Sequence, residues 1–368
     1  MNNNLAIIGA SYLQLPLIEK AKEMGYTTHV FAWAANDVGE KSADFFYPIS
    51  IIEKEQILEK CREIGICGIC SIASDLAMLT VNYVANELGL IGNSLNSTTI
   101  STNKHQMRLA FEKNGDPSPK SILVDEKTDF SSLQIAYPAI VKPTDRSGSR
   151  GIQKVNTCQK LKEAVLTAMK EGFEKKALVE EFVEGKEYSV EYISYKGKHH
   201  FLALTEKFTT GTPHFIETGH MEPASINNGI LKNIKSIVEH ALDSLEIENG
   251  ASHSEIKIAE DGTIKIIEIG GRMGGDCIGS DLVKYSTGID FVRAVIDVAC
   301  GRNPDLTPCG ETFAVQSRFI FNKNDLMELY LLQKEHPEKL IRIAFLNEEA
   351  FGHITDSSNR AGCYVAKV

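Results

Sequence analysis

Two alternating runs, Ser254-Glu255-Ile256-Lys257-Ile258 and Ile264-Lys265-Ile266-Ile267-Glu268, flank Asp261-Gly262. No other feature narrows the fold as much. Period-two alternation on both sides of Asp-Gly predicts a β-hairpin, because a type I′ turn needs positive φ at both central residues. With Asp261 and Gly262 in those places, Glu255 lies directly across from Glu268. A four-residue loop keeps that register, whereas a three- or five-residue loop slips it by one. Carboxylates so opposed have Cβ atoms about 4.5–5.5 Å apart and destabilise a sheet. A divalent cation between them removes the penalty. Mg²⁺ suits, since it takes one or two carboxylates and completes its shell with substrate phosphates. A solvated hairpin edge with both acids in water gives the same pattern and stays open at this point.

The residues that follow tilt the choice toward a ligand. Glu268 leads into Ile269-Gly270-Gly271-Arg272-Met273-Gly274-Gly275-Asp276, where glycine allows close backbone approach and Arg272 offers a permanently charged fork. Upstream, Lys142 ends the strand-like Ala139-Ile140-Val141 and precedes Pro143, so its stem can lie along a sheet with the ammonium toward a phosphate. The loop Thr144-Asp145-Arg146-Ser147-Gly148-Ser149-Arg150-Gly151-Ile152 supplies backbone N–H groups, hydroxyls and two arginines able to wrap a polyphosphate. It is not a P-loop, whose G-x-x-x-x-G-K-[ST] pattern occurs nowhere in the chain. Lys104, in the helix opening Asn103-Lys104-His105-Gln106, is by pattern alone an ordinary solvated lysine.

At 368 residues the chain has room for two or three domains. Between residues 5 and 91 strand and helix signals alternate: Leu5–Ile8, a helix over Leu13–Met24, Thr27–Phe31, a helix over Glu53–Glu63, Ile66–Ser71, and a helix over Asp75–Leu88. Such alternation predicts a doubly wound parallel sheet with helices on both faces. Asn93–Thr102, rich in Ser, Thr and Asn, reads as a linker, and a helix over Asn103–Lys113 follows it. Strands are expected at Ala139–Lys142, Ala177–Glu180 and Tyr188–Ile193, with helices at Gln159–Glu171, Leu231–Leu245 and Phe291–Cys300. Thr209–Ala224 reads as a long loop, and the residues from Gly301 as a smaller α+β region. The expected division is 1–92, 93–300 with a nucleotide-binding part at about 115–185, and 301–368.

A net charge of −10 argues against a nucleic-acid surface, which has to be basic. No stretch nears the roughly 20 apolar residues of a bilayer span. Met1-Asn2-Asn3-Asn4 has no basic region, so a secretory leader is not expected and the cytoplasm is. Cys67 and Cys70 form a C-x-x-C near Cys61, but no second pair stands at metal spacing, so reduced structural thiols are the expectation. Gly9-Ala10-Ser11-Tyr12-Leu13-Gln14 holds only the first glycine of a dinucleotide fingerprint, which disfavours a nicotinamide oxidoreductase.

Taken in order, Val141-Lys142-Pro143, the Ser/Gly loop, Leu178-Val179-Glu180-Glu181-Phe182-Val183-Glu184-Gly185-Lys186-Glu187, Glu255, and Glu268-Ile269-Gly270-Gly271-Arg272 resemble the ATP-grasp superfamily over nearly the whole chain. The resemblance implies an N-terminal doubly wound α/β domain followed by an ATP-grasp fold with mixed and antiparallel sheets. It implies ATP and Mg²⁺, for which Mn²⁺ can substitute. By it, Lys104 and Lys142 bind phosphates, and the loop of Arg146, Ser147, Gly148, Ser149 and Gly151 closes over them. Backbone groups of Glu180, Glu181 and Val183 read adenine, Glu187 holds ribose, Glu255 and Glu268 hold the metal, and Arg272 steadies the transferred phosphoryl. Many members carry an asparagine metal ligand two residues after the second glutamate, where this chain has Gly270. The stretches Thr205-Glu206-Lys207, Pro213-His214-Phe215-Ile216-Glu217-Thr218-Gly219-His220 and Asp356-Ser357-Ser358-Asn359-Arg360-Ala361-Gly362 resemble the carboxylate–amine, or L-amino acid, ligase branch. That places Glu217 and His220 near substrate, although a lone loop histidine is as often a filler. The function so implied is amide formation from small carboxylates and amines, chiefly amino acids, through an acyl phosphate. A biotin carboxylase-like enzyme, a purine-synthesis step and a nucleotide-binding regulator without catalysis are the alternatives, and a homodimer through the N-terminal domain is a family expectation.

Overall fold

The computed structural model describes residues 3–130, 133–212, 215–352, 354, 356–357 and 360–368. Four parallel strands, β1 (Asn4–Ile8), β2 (Thr27–Phe31), β3 (Phe45–Tyr47) and β4 (Gly68–Cys70), open the chain in the order β3-β2-β1-β4. Alternate residues of β1 serve different cores. Leu5 and Ile7 pack with Leu17 and Ile18 of the helix Leu15–Glu23, while Ala6 and Ile8 pack with Ile57 and Val81 of helices Lys54–Ile64 and Asp75–Leu88. Burial on both faces is what a parallel sheet requires. The doubly wound expectation holds, with Cys61 and Cys70 among the apolar packing.

An antiparallel sheet in the order β5-β8-β6-β7 follows, from β5 (Ser121–Val124), β6 (Ala139–Pro143), β7 (Gln153–Val155) and β8 (Ala177–Glu181). Helix Cys158–Glu171 covers one face through Leu161, Val165 and Ala168. The third sheet has eight strands: β9 (Lys186–Tyr195), β10 (Lys198–Thr209), β11 (Glu217–Glu222), β12 (Gly250–Ile258), β13 (Ile264–Gly270), β14 (Val315–Ile320), β15 (Leu340–Leu346) and β16 (Gly362–Lys367). Their order is β13-β12-β9-β10-β11-β14-β16-β15, so strands beyond residue 301 extend the sheet that holds the hairpin. Helix Asn228–Ser244 packs Ile234, Val238 and Leu242 against Ile256, Ile258, Ile264, Ile266 and Ile269.

Glu255 does face Glu268, but by a different route from a type I′ turn. Only Gly262 in the turn has positive φ (+85°), and Ala259 N–H donates to the Thr263 carbonyl. Five residues therefore separate the paired Ile258 and Ile264, which slips the register by one. A bulge at Ile267 then absorbs the slip, pairing Ile256 with Ile266 and Glu255 with Glu268. The bulge also lets Ile266 and Ile269, three apart, share the core while Glu268 turns to the other side.

Two expectations are corrected. Residues 93–102 are not a linker, because Leu95–Thr102 is a helix. Its hydroxyls return to backbone carbonyls, as Ser97 Oγ does to Leu245 O at 2.8 Å, so a polar run packs. Nor is Thr209–Ala224 a loop throughout, since Glu217–Glu222 is β11, paired with β10 and β14. Pro213 and His214 lie outside the described residues, as do Ser358 and Asn359. Among the described residues no helix is long and apolar enough to cross a membrane.

Candidate active site

A cavity opens between the small antiparallel sheet and the eight-stranded one. Lys142, Glu180, Glu181, Phe182 and Val183 line one wall; Glu187, Glu255, Lys257, Ile267 and Glu268 line the other, with Ser149, Phe215 and Glu217 at its margin. Residues far apart in the chain meet because β6 and β8 face the hairpin across the gap. Its apolar lining is Ile140, Ile152, Phe182, Phe215 and Ile267. The rest of the lining is largely charged.

That charge is arranged in pairs. Lys142 Nζ lies 2.7 Å from Glu180 Oε2, and Arg108 Nε 2.7 Å from Glu180 Oε1. Burial raises the Glu180 pKa, but Arg108 and Lys142 outweigh it and keep the group ionised. Burial likewise pulls Lys142 below its ordinary value against the pull of Glu180. Lys104 Nζ donates to Glu268 Oε1 at 2.6 Å and to the Arg146 carbonyl at 2.8 Å. Lys207, buried on β10, reaches Glu255 at 2.7 Å, Glu187 at 3.1 Å and Glu217 at 3.9 Å. Burial disfavours its charge, yet these carboxylates raise its pKa well above the ordinary value. Glu255 is depressed in turn: burial pushes it up, and Lys207 with His253 more than reverses that.

Behind Glu255 stands a buried relay. His253 Nδ1 is 2.5 Å from Glu191 Oε1, and its Nε2 is 3.6 Å from Glu255 Oε1. Glu191 Oε2 also accepts the Gly274 N–H at 3.2 Å, which ties the strand to the glycine-rich turn. A second corner lies beyond Glu217. Arg360 Nη2 donates to Asp276 Oδ1 at 2.5 Å, Arg360 Nη1 to the Glu217 carbonyl at 3.3 Å, and the guanidinium stacks 3.6 Å from the Phe319 ring. His220 packs edge-on to the same ring, with Nε2 3.7 Å from Asp276 Oδ2 and neither ring nitrogen hydrogen-bonded. Burial lowers the His220 pKa, so the imidazole stays neutral.

Not every residue expected at the site faces this cavity. Arg146 and Ser147 line a larger neighbouring cleft, shared with Lys104 and Glu268, that runs to the ends of β1 and β4. The Arg146 guanidinium rests 4.5 Å from the Phe173 ring. Gly148 (φ +72°) and Gly151 (φ +69°) shape the loop, whose Ser149 and Ile152 reach the cavity. Arg272 turns to Asp75, with Nε and Nη2 at 2.9 and 3.1 Å from the two carboxylate oxygens. Sequence reasoning gave no role to Arg108, Glu191, Lys207, His253, Asp75, Asp276 or Arg360. Lys207 had one signal: it shares a strand face with Ala203 and Thr205, so period-two alternation buries it.

The chemistry of this donor set fits Mg²⁺: two hard carboxylates on neighbouring strands, each already balanced by a lysine. Among the described residues no group of three His, Cys, Asp or Glu side chains could hold a metal, so the remaining ligands would come from substrate and water.

The sequence pattern of the ATP-grasp domain family matches residues 135–281. An alanine–anticapsin ligase of Bacillus subtilis is 26% identical over 308 residues, covering 73% of this chain and 64% of that ligase. The chain thus spans a little under two thirds of that relative's length. The crystal structure of an L-amino acid ligase from Bacillus licheniformis matches with a TM-score of 0.83 at 24% identity, over 99% of this chain and 93% of that one. A phosphoribosylglycinamide synthetase from Anaerococcus prevotii matches with a TM-score of 0.77 at 22% identity, over 100% and 94%. At these identities the structural likenesses speak to the fold.

Proposed function

The chain carries an ATP-grasp domain at residues 135–281, and from that premise we propose that it is a carboxylate–amine ligase using Mg-ATP, with amino acids as substrates. One observation carries this reading: Lys142, Glu187, Glu255 and Glu268 line a single cavity together with the apolar Ile140, Ile152, Phe182 and Ile267. A purine fits between Ile140, Ile152, Phe182 and Ile267, with its edge against the backbone of Glu180–Val183. Glu187 suits the ribose, and Lys142 and Lys104 the phosphates.

In the proposed reaction a carboxylate oxygen attacks the γ-phosphorus, ADP leaves, and an amine displaces phosphate from the acyl carbon. Mg²⁺, when bound, would supply charge neutralisation at the phosphates, held by Glu255 and Glu268. The chain's own work is alignment and electrostatics. Lys104 and Lys207, now bonded to those two carboxylates, are free to turn to phosphate oxygens once the carboxylates have another cation. The neutral, unbonded His220 beside Glu217 suits acceptance of the proton that the attacking amine must lose. The names of the ligase relatives, which act on amino acids, favour this substrate class.

The test is a screen of Mg-ATP with pairs of amino acids, reading phosphate release and product mass. A product heavier than either partner, with one phosphate released per bond, is expected. ATP binding without turnover for every pair would sink the ligase reading in favour of a nucleotide sensor.

A further inference from the structure

Gly270 ends β13 two residues beyond Glu268, and its φ is not in the left-handed region. Conformational freedom therefore does not explain the glycine. Space does. A Cβ placed there would come 2.7 Å from Asp75 Oδ1 and 3.2 Å from Arg272 Nε. The carboxylate is held there by Arg272, whose Nε and Nη2 donate to its two oxygens, and its backbone by the start of helix Asp75–Leu88, which Ser74 caps by accepting the Ala77 N–H at 3.2 Å. The same junction is sewn to the glycine-rich turn, as Ala73 N–H donates to the Met273 carbonyl at 3.2 Å and Arg272 Nη1 donates to it at 3.4 Å.

Arg272 has a choice of anions. Asp75 takes its fork side-on, while Glu268 and Glu255 are its next sources of attraction. Without Asp75 the guanidinium would be drawn to the two hairpin carboxylates and would compete with a cation there. With Asp75 its fork is held on that carboxylate, and Asp75 itself lines the cleft it shares with Lys104 and Glu268.

We propose that Asp75 is a positioning residue of the phosphoryl-transfer centre: it fills the volume that any side chain at 270 would need, and it fixes Arg272 beside the hairpin without letting it quench Glu255 and Glu268. The helix that follows β4 of the N-terminal sheet thus contributes a working anion to a centre otherwise built by the two antiparallel sheets and the helix carrying Lys104. The role given to Arg272 rests on the nucleotide reading above; the packing of Asp75 against Gly270 does not.

The test uses the full chain and needs no knowledge of the amino-acid substrates. Calorimetric titration compares Mg-ADP alone with Mg-ADP plus aluminium fluoride, a stand-in for the phosphoryl in flight. Wild type should bind more tightly with fluoride. At saturating Mg²⁺, where the cation outcompetes a freed Arg272 for the hairpin carboxylates, Asp75→Asn, which keeps shape and loses charge, should bind Mg-ADP within twofold of wild type and lose at least tenfold of the fluoride gain. Retention of that gain within twofold overturns the proposal. So does an equal loss in Mg-ADP affinity, which would make Asp75 merely structural, and so does a wild type that binds Mg-ADP without gaining from fluoride. Failure of wild type to bind Mg-ADP at all would instead remove the nucleotide reading, and the proposal with it, before any variant is made. A melting series checks the packing separately. Gly270→Asn should lower the midpoint in wild type and lower it by less than half as much in an Asp75→Gly background, compared with Asp75→Gly alone; an equal drop in both backgrounds overturns the steric half of the proposal.

Discussion

The pocket between the two antiparallel sheets and the corner beyond Glu217 handle charge in different ways. In the pocket the acids are matched by basic side chains: Lys142 and Arg108 on Glu180, Lys104 on Glu268, and Lys207 on Glu255, with Glu187 and Glu217 sharing Lys207. In the corner Arg360 serves both Asp276 and the Glu217 backbone, and His220 is left with two unbonded ring nitrogens. The pocket is thus neutralised in advance, and on the proposed function a metal or phosphate would enter by exchanging partners with a lysine. The corner keeps an uncommitted base. The proposed ligase, which has to hold a tetra-anionic nucleotide and also take up a proton, would use both designs.

The largest effect expected from this contrast is at Glu268. Glu268→Gln should cut phosphate release by about 10²–10³-fold, the scale of losing one electrostatic contact to a transition state. Arg360→Lys, which keeps charge but loses the planar fork on Asp276 and Phe319, should cost about tenfold less. Steady-state rates with the pair found in the screen decide it, and equal losses would erase the distinction between the two regions. The next effect is on stability. Lys207→Met leaves Glu187, Glu217 and Glu255 facing one another without their shared cation. Removing one member of a buried pair costs about 3–5 kcal/mol. Because these acids keep some contact with water, roughly 3 kcal/mol in urea unfolding is the expected loss. A change below about 1 kcal/mol would mean that the acids find other partners.

The same contrast explains what could be read without coordinates. In the pocket, alternation and turn chemistry over a few residues pointed to Glu255 and Glu268, and a strand-end position to Lys142, whereas Glu180, Glu181, Val183 and Glu187 came only with the family resemblance. Even there the sequence misplaced the turn: Asp261 bonds the Thr263 N–H at 2.8 Å and draws the chain through five residues, and the bulge at Ile267 restores the register. The corner was not legible as a unit. Glu217 and Arg360 converge because β11 pairs with β14 and β14 with β16, and Asp276 reaches Arg360 from the glycine-rich turn after β13. Nothing local records such pairings. Arg272 was assigned to the transferred phosphoryl by the family resemblance, beside its charged fork, and its partner Asp75 sits 197 residues away.

Titration should separate the regions by sign. Glu180, in the pocket, has its pKa lowered on folding because Arg108 and Lys142 outweigh burial. Its stabilisation is present above its unfolded value of about 4.5 and is lost as pH falls below it. Glu222, at the end of β11, has hydroxyl partners only, Thr205 Oγ1 at 2.5 Å and Ser286 Oγ at 2.7 Å. Burial pushes it up to about 8. Its folded pKa exceeds the unfolded one, so its contribution is full below about 4.5 and fades as pH rises through about 8. Glu222→Gln should therefore gain stability relative to wild type between pH 5 and pH 8.5, read as the difference of two urea titrations. A difference that stays flat, or runs the other way, would show Glu222 to be ionised in the fold.

The smallest expected effect concerns the connection between the N-terminal sheet and the helix that carries Lys104. Helix Leu95–Thr102 begins at Ser94, whose Oγ accepts the Ser97 N–H at 2.9 Å and whose carbonyl accepts Thr98 Oγ1 at 2.8 Å. Its first apolar residue, Leu95, is half exposed, so the cap and the inward hydroxyls, not an apolar stripe, set where the helix starts. Ser94→Ala removes one such bond at an exposed end and should cost about 1 kcal/mol in urea unfolding. Lys104 itself is anchored separately: Asn103 caps its helix through the His105 and Gln106 N–H groups, and the Lys104 N–H donates to the Thr144 carbonyl at 2.8 Å. Mg-ATP affinity should accordingly stay within twofold in Ser94→Ala. A parallel fall in affinity would mean that the helix beginning at Leu95, and not the Asn103 cap, holds Lys104 on Glu268, and the pocket would then extend one element further toward the N-terminus than its charge pairs indicate.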